Sequence, residues 1–207
     1  MEPFRTLTAV AAPLLLDNVD TDAIAPASSD SRRLHPDYAA MFFARKRFRA
    51  DGSEDPAFVL NRAPFRRAQI LVTGSRFGCG SARESAVWSL TAFGIRCIIA
   101  RSFAEMYQDN CLRNGVLPIV LGPSECAAFE AGVVATDGAA PYTVDLQAQV
   151  IVAADGRRFA FTLDPIDRLA LLEGTDPIAL TLRSEPEIVA WEARMLAQQP
   201  WLQRPGG

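Results

Sequence analysis

Between Gln69 and Leu121 the chain alternates short apolar runs with stretches of helical spacing, and this alternation restricts the fold more than anything else in the 207 residues. Gln69 to Thr73, Ile95 to Ala100 and Val116 to Leu121 read as buried strands. Pro118 places the last of them near a sheet edge or a bulge. Val87, Leu90 and Phe93 stand at helical spacing in a helix read over 82–93. A second helix runs from Ser102, suited to an N-cap, towards Asn114-Gly115, suited to a helix end. Strand–helix–strand–helix–strand predicts a parallel sheet with right-handed crossovers, and open sheets of that kind bind ligands at the carboxyl ends of their strands.

The flanks add elements without adding a second domain. Leu7 to Leu16 reads as one strand leading into a polar loop, Asp17 to Asp22. Residues 27–56 are rich in Ser, Asp, Arg and Pro with little periodicity, and such a length of irregular chain is usually functional or disordered. Val150 to Val152 and Phe159 to Phe161 predict a hairpin closed by Asp155-Gly156 as a type I′ turn. Asp164-Pro165 opens a short helix that Gly174 can end, and an amphipathic helix runs from Pro186 to Gln199. With no internal repeat and no linker, 1–207 reads as a single domain.

The first strand of the series runs into Phe77-Gly78-Cys79-Gly80-Ser81-Ala82-Arg83-Glu84-Ser85. Three readings fit a glycine turn there. Ser81 and Glu84 have the spacing of a capping box, which starts a helix and does nothing more. Gly78 and Gly80 begin a dinucleotide fingerprint, but Arg83 stands at its third glycine and Arg101 where an acidic residue should close the next strand. The third reading is an anion site, in which unpaired N–H groups at a helix start and the two-pronged guanidinium of Arg83 hold a small acid.

A net charge of −3 argues against non-specific nucleic-acid binding, which needs a basic face. The apolar stretch Leu7 to Leu16 is too short to span a membrane, and Asp17-Asn18-Val19-Asp20 stands where a signal peptide would have its cleavage site. A cytoplasmic location is expected. The cysteines at 79, 97, 111 and 126 form no C-x-x-C pair and the chain has one histidine, His35. That pattern excludes an ordinary zinc site, disfavours disulfides and an iron–sulfur cluster held by this chain, and leaves core thiols.

Several motifs in order make the chain resemble the small-subunit family of 3-isopropylmalate dehydratase, relatives of the aconitase swivelling domain, from about Leu16 to Leu182. They are Asn18-Val19-Asp20-Thr21-Asp22-Ala23-Ile24, Phe58-Val59-Leu60-Asn61, Phe77-Gly78-Cys79-Gly80-Ser81, Ser102-Phe103-Ala104, Leu117-Pro118, Val144-Asp145-Leu146 and Phe161-Thr162-Leu163-Asp164. The resemblance implies an α/β fold: one β/β/α layered swivelling domain with a mainly parallel central sheet, as in the aconitase C-terminal domain. It implies a hydro-lyase that moves a hydroxyl between neighbouring carbons of a small carboxylic acid by dehydration and rehydration. It also implies a large-subunit partner, in a heterodimer or heterotetramer, that carries a [4Fe–4S] cluster, with no cofactor or metal on this chain.

Carried over position by position, the resemblance makes Ser81 the base and Arg83 the clamp on a substrate carboxylate, with backbone at Gly80 and Ala82 completing the anion site. Asp22 matches an acidic residue that orients the site, against an Asx-turn as the plain alternative. The family's usual Ser-Ser-Arg-Glu-His is here Ser81-Ala82-Arg83-Glu84-Ser85, so one hydroxyl is missing. A substrate-reading segment with an arginine between threonines is replaced by Arg32-Arg33-Leu34-His35-Pro36, which puts Arg32, Arg33, Leu34 and His35 in a substrate-binding loop. The expected function is isomerisation of 2- and 3-isopropylmalate in leucine biosynthesis. Two alternatives remain: a hydratase for another acid (alkylmalate, citraconate or homoaconitate), or a non-catalytic assembly subunit.

Overall fold

The computed structural model describes residues 1–26 and 38–202. Two compact units are present, Met1–Gly174 and Thr175–Gly207. Along the first run β1 (Thr6–Ala9), β2 (Ala11–Leu14), α1 (Thr21–Ile24), α2 (Tyr38–Met41), α3 (Ala44–Arg47), β3 (Ile70–Thr73), α4 (Ser85–Phe93), β4 (Cys97–Ala100), α5 (Glu105–Arg113), β5 (Leu117–Val120), α6 (Pro123–Thr136), β6 (Tyr142–Asp145), β7 (Val150–Val152), β8 (Arg158–Ala160) and α7 (Pro165–Glu173). The second unit is helical, with α8 (Pro177–Thr181) and α9 (Glu185–Gln198), the latter matching the helix expected from Pro186.

Strands β2-β3-β4-β5 form a wholly parallel sheet in that order, and β1-β6-β7-β8 an antiparallel one. Alternation along the parallel strands divides the core. Ile70, Val72, Cys97, Ile99, Leu117 and Ile119 pack towards the antiparallel sheet, with Val144, Ile151 and Phe159 and with Phe129 of α6. Leu71 and Ile98 point the other way, among Val87 and Leu90 of α4 and Cys111 of α5. This is the expected β/β/α layering. Pro13 and Pro118 lie in β2 and β5, the two edge strands, where a missing N–H breaks no ladder.

Several expectations are corrected. The strand expected over Leu7 to Leu16 is two strands in different sheets: Leu7 pairs antiparallel with Val144, whereas Ala12 pairs parallel with Leu71. A continuous apolar run does not encode the break at Val10. The hairpin turn is not type I′, since only Gly156 has a positive φ (+85°). Gly156 N–H donates to Ala153 O (2.9 Å) and Ala153 N–H to Arg157 O (2.9 Å), a three-residue turn with one left-handed position. Ser102 does not cap α5; its Oγ accepts from Arg76 N–H (2.9 Å), and the helix starts at Glu105. Asp164 and Gly174 do cap α7 as expected, the aspartate accepting from Ile166 N–H and Gly174 taking φ +71°.

Of the stretch expected to be irregular over 27–56, the described part, 38–56, carries α2 and α3. Arg47, in a run of basic residues, is buried (8% exposed). Its guanidinium donates to Asn61 Oδ1 (3.2 Å), Ala39 O (2.9 Å) and Phe42 O (3.3 Å), and lies over the rings of Phe48 and Phe93. Asn61 Nδ2 returns bonds to Arg47 O (2.7 Å) and Asp55 O (2.8 Å). Satisfying the charge this way lets α2 pack on α4 and α3 on α1 without a helical repeat in the sequence.

All four cysteines are free, and Cys97, Cys111 and Cys126 are buried, as core thiols should be. Burial pushes the Cys126 thiol up to about 11, so it stays protonated. It donates to Glu130 Oε1 (3.4 Å), a carboxylate that also receives Arg101 Nε (2.8 Å) and Nη2 (2.5 Å). Arg101 chiefly, outweighing burial, holds the Glu130 carboxyl below the usual carboxylate range.

Two outcomes follow for stability. The Glu130 pKa is lower folded than unfolded, so its stabilisation is complete above the ordinary carboxylate pKa and is lost as pH falls through the folded value. Glu130→Gln should lower the denaturant midpoint at pH 7, with the gap to the unaltered chain closing as the pH falls from the ordinary carboxylate range through the lower folded value. At Gly78, φ is +77° and an added Cβ would lie 2.1 Å from Cγ of Tyr107. Gly78→Ala should therefore cost about 3 kcal/mol or more, read by equilibrium unfolding.

Candidate active site

The turn after β3 lies at the carboxyl end of the parallel sheet, held on both sides by main chain. On one side Asn18 N–H donates to Ser75 O (2.8 Å), Gly78 N–H to Val19 O (2.8 Å) and Thr21 N–H to Cys79 O (2.9 Å). On the other, Phe77 N–H donates to Ser102 O (3.1 Å) and Ala104 N–H to Phe77 O (3.0 Å). Isolated parallel bridges pair Asp20 with Cys79 and Phe77 with Phe103. The segments that follow β2, β3 and β4 thus stay in strand order beyond the sheet, and they carry the candidate residues with them.

Helix α4 begins at Ser85, not at 82, so Ser81 and Arg83 precede the helix and do not lie in its first turn. No capping box forms. Glu84 is the N-cap without a side-chain cap bond, and its carboxylate accepts instead from Asn114 Nδ2 (3.2 Å). The cause is the left-handed Gly80 (φ +92°), followed by Arg83 N–H donating back to Ser81 O (2.8 Å). That tight turn leaves Gly80, Ser81 and Ala82 exposed. Their N–H groups meet no acceptor among the described residues, and neither does the Ser81 hydroxyl. Such consecutive amides form an anion-binding concavity.

Each residue of Asp20-Thr21-Asp22 has its own task. Asp20, not Asp22, makes the Asx-type bond: Oδ1 accepts from Ala23 N–H (2.6 Å) and starts α1. Asp22 Oδ1 lies 2.7 Å from Arg83 Nη2. Thr21 is buried between them; its hydroxyl donates to Ser81 O (2.9 Å) and accepts from Arg83 Nη2 (3.3 Å). Ser81, Arg83 and Asp22 therefore share one corner although 59 residues separate Asp22 from Ser81. The positive charge of Arg83 is here balanced by Asp22. Its Nη1 has no partner among the described residues, and its buried Nε has none either.

Arg32, Arg33, Leu34 and His35 lie outside the described residues. Thr21 escaped the reading of the sequence, although a hydroxyl between two aspartates that both matter was the available signal. Among the described residues no three His, Cys, Asp or Glu side chains could hold a metal ion, and no helix is long and apolar enough to cross a membrane.

The same arrangement of elements recurs in known proteins. The family model for the aconitase C-terminal domain matches residues 1–124, the one termed LeuD_N residues 133–165, and the one for the C-terminal domain of the 3-isopropylmalate dehydratase small subunit residues 178–205. A 3-isopropylmalate dehydratase small subunit of Rhodospirillum centenum is 47% identical over 97% of this chain and 98% of its own. That of Gluconacetobacter diazotrophicus is 46% identical over 99% and 98%. A crystal structure of 3-isopropylmalate dehydratase from Methanocaldococcus jannaschii superposes with a TM-score of 0.59 at 26% identity, covering 89% of this chain and 99% of that one.

Proposed function

The chain belongs to the 3-isopropylmalate dehydratase small-subunit family, and from that premise we propose how its residues take part in the reaction. It is the small subunit of a hydro-lyase that interconverts 2- and 3-isopropylmalate by dehydration and rehydration in leucine biosynthesis, and it works with a large subunit. Residues 1–207 act as one swivelling domain in the cytoplasm, in a heterodimer or heterotetramer. A [4Fe–4S] cluster belongs to the large-subunit partner, and its iron supplies Lewis acidity for the leaving hydroxyl.

The observation that carries the residue assignments is the corner where the Ser81 hydroxyl and N–H groups, unpartnered among the described residues, meet a guanidinium already gripping a carboxylate. The proton removed in the reaction lies next to a carboxylate and is weakly acidic, so a strong base is needed. Ser81 serves as that base in its alkoxide form. Its hydroxyl is far too weak an acid to ionise in water, and Arg83 with the amides of Gly80, Ser81 and Ala82 supplies the stabilising field. Arg83 clamps a substrate carboxylate through Nη1, the nitrogen that Asp22 does not hold. Asp22 orients Arg83. Ala82 in place of the family's usual serine forgoes one hydrogen bond to that carboxylate, worth about 1.5–3 kcal/mol.

Arg32, Arg33, Leu34 and His35 read the variable arm of the acid. The relatives share one named activity, and nothing in the described residues favours alkylmalate, citraconate or homoaconitate, or a purely structural subunit.

Two measurements on the complex assembled with its large subunit and reconstituted cluster test this. Ser81→Ala should lower isopropylmalate turnover by about a thousandfold or more, as loss of a catalytic base does; unchanged turnover would remove Ser81 from the mechanism. Replacing 32–36 by the family's common segment should alter the ratio of kcat/KM between isopropylmalate and shorter alkylmalates. An unaltered ratio would refute the loop assignment.

A further inference from the structure

We infer that Thr21 is a positioning residue for this reaction, coupling the carboxylate clamp to the backbone of the base. The inference rests on the roles given to Ser81 and Arg83 above. Thr21 is 1% exposed, and among the described residues its hydroxyl is the one side-chain group that contacts both of them: it donates to Ser81 O at 2.9 Å and accepts from Arg83 Nη2 at 3.3 Å. A hydroxyl carries one donor proton and two lone pairs, so it makes both bonds at once. A methyl makes neither, and a carboxylate has no proton for the Ser81 carbonyl.

The placement adds a side-chain tie to the main-chain bond that already joins clamp and base, from Arg83 N–H to Ser81 O (2.8 Å). Thr21 N–H donates to Cys79 O (2.9 Å), so the residue is already tied by main chain to the turn it braces. Its side chain then reaches past Gly80, where a Cβ would lie 3.7 Å from Thr21 Oγ1, and meets the turn again at Ser81. Both ends of the tight turn 79–83 are thereby referred to one buried residue. Asp22 holds Nη2 by charge from a half-exposed position, whereas Thr21 is buried and holds the same nitrogen from the side of the turn. During turnover Thr21 is therefore the fixed partner of Arg83, and its loss acts mainly on substrate binding through the clamp.

Thr21→Val keeps the branched shape and removes the hydroxyl, while Thr21→Ser keeps the hydroxyl and removes the methyl. In the assembled complex, Thr21→Val should raise KM for isopropylmalate about tenfold, with kcat within about threefold. Thr21→Ser should stay within about twofold on both constants, and the thermal midpoints of the two should be alike. An unchanged KM in Thr21→Val would overturn the inference, as would a serine variant as impaired as the valine one. Should the valine complex fail to assemble, Thr21→Ala replaces it; failure of both with the serine variant intact in fold and kinetics would assign Thr21 to bracing the fold and sink the inference. Ser81→Ala is measured alongside: its inactivity with a normal Thr21→Val rejects Thr21 alone, whereas a fully active Ser81→Ala rejects the assignment of the base.

Discussion

The site depends on main-chain hydrogen bonds that hold the turn after β3 between the segments leaving β2 and β4. Val19, Cys79, Phe77 and Ser102 contribute carbonyls to this lattice, and it extends the order of the parallel sheet into the loops. Backbone bonds of this kind are insensitive to which side chains they carry. They leave the turn free to place a serine, an arginine and open amides at the sheet's carboxyl edge. The glycines make the lattice possible: Gly78 lies against the Tyr107 ring, and Gly80 turns the chain outward at a φ that other residues rarely adopt.

Upon that frame sits a small electrostatic arrangement. Arg83 is close to neutralised by Asp22, and Thr21 ties it to Ser81 O. A clamp that is already paired has given up part of its hydration before a substrate carboxylate arrives at Nη1. The helix start contributes less than its proximity suggests. The amides of Val87 and Trp88 are taken by Glu84 O (2.8 and 2.9 Å), whereas those of Gly80, Ser81 and Ala82, which meet no acceptor among the described residues, lie in the turn ahead of the helix.

The core strands were legible because they are short apolar runs separated by helical spacing, and burial on both faces demands such runs. The prolines at 13 and 118 occupy the two edges of the parallel sheet, where the chemistry of a missing N–H confines them. The switch at Val10 from antiparallel to parallel sheet was not legible, since the residues on either side are similarly apolar. The helices at 38–47 were hidden for a different reason. Arg47 looks like a solvated charge, and only the carbonyls of Ala39 and Phe42, the Asn61 amide and two aromatic rings make its burial tolerable.

In the candidate site the same division holds. Residue type and order were enough to mark Ser81, Arg83 and Asp22, the glycines that make a turn, and the family to which the chain belongs, because chemistry and local backbone freedom are properties of residues. That Asp22 touches Arg83 while Asp20 caps a helix, that Glu84 turns to Asn114, and that Thr21 stands between clamp and base could come only from the folded chain. The contacts of Asp22, Thr21 and Glu84 join residues far apart in the sequence, and distance in space across such separations is set by how the sheet orders its strands.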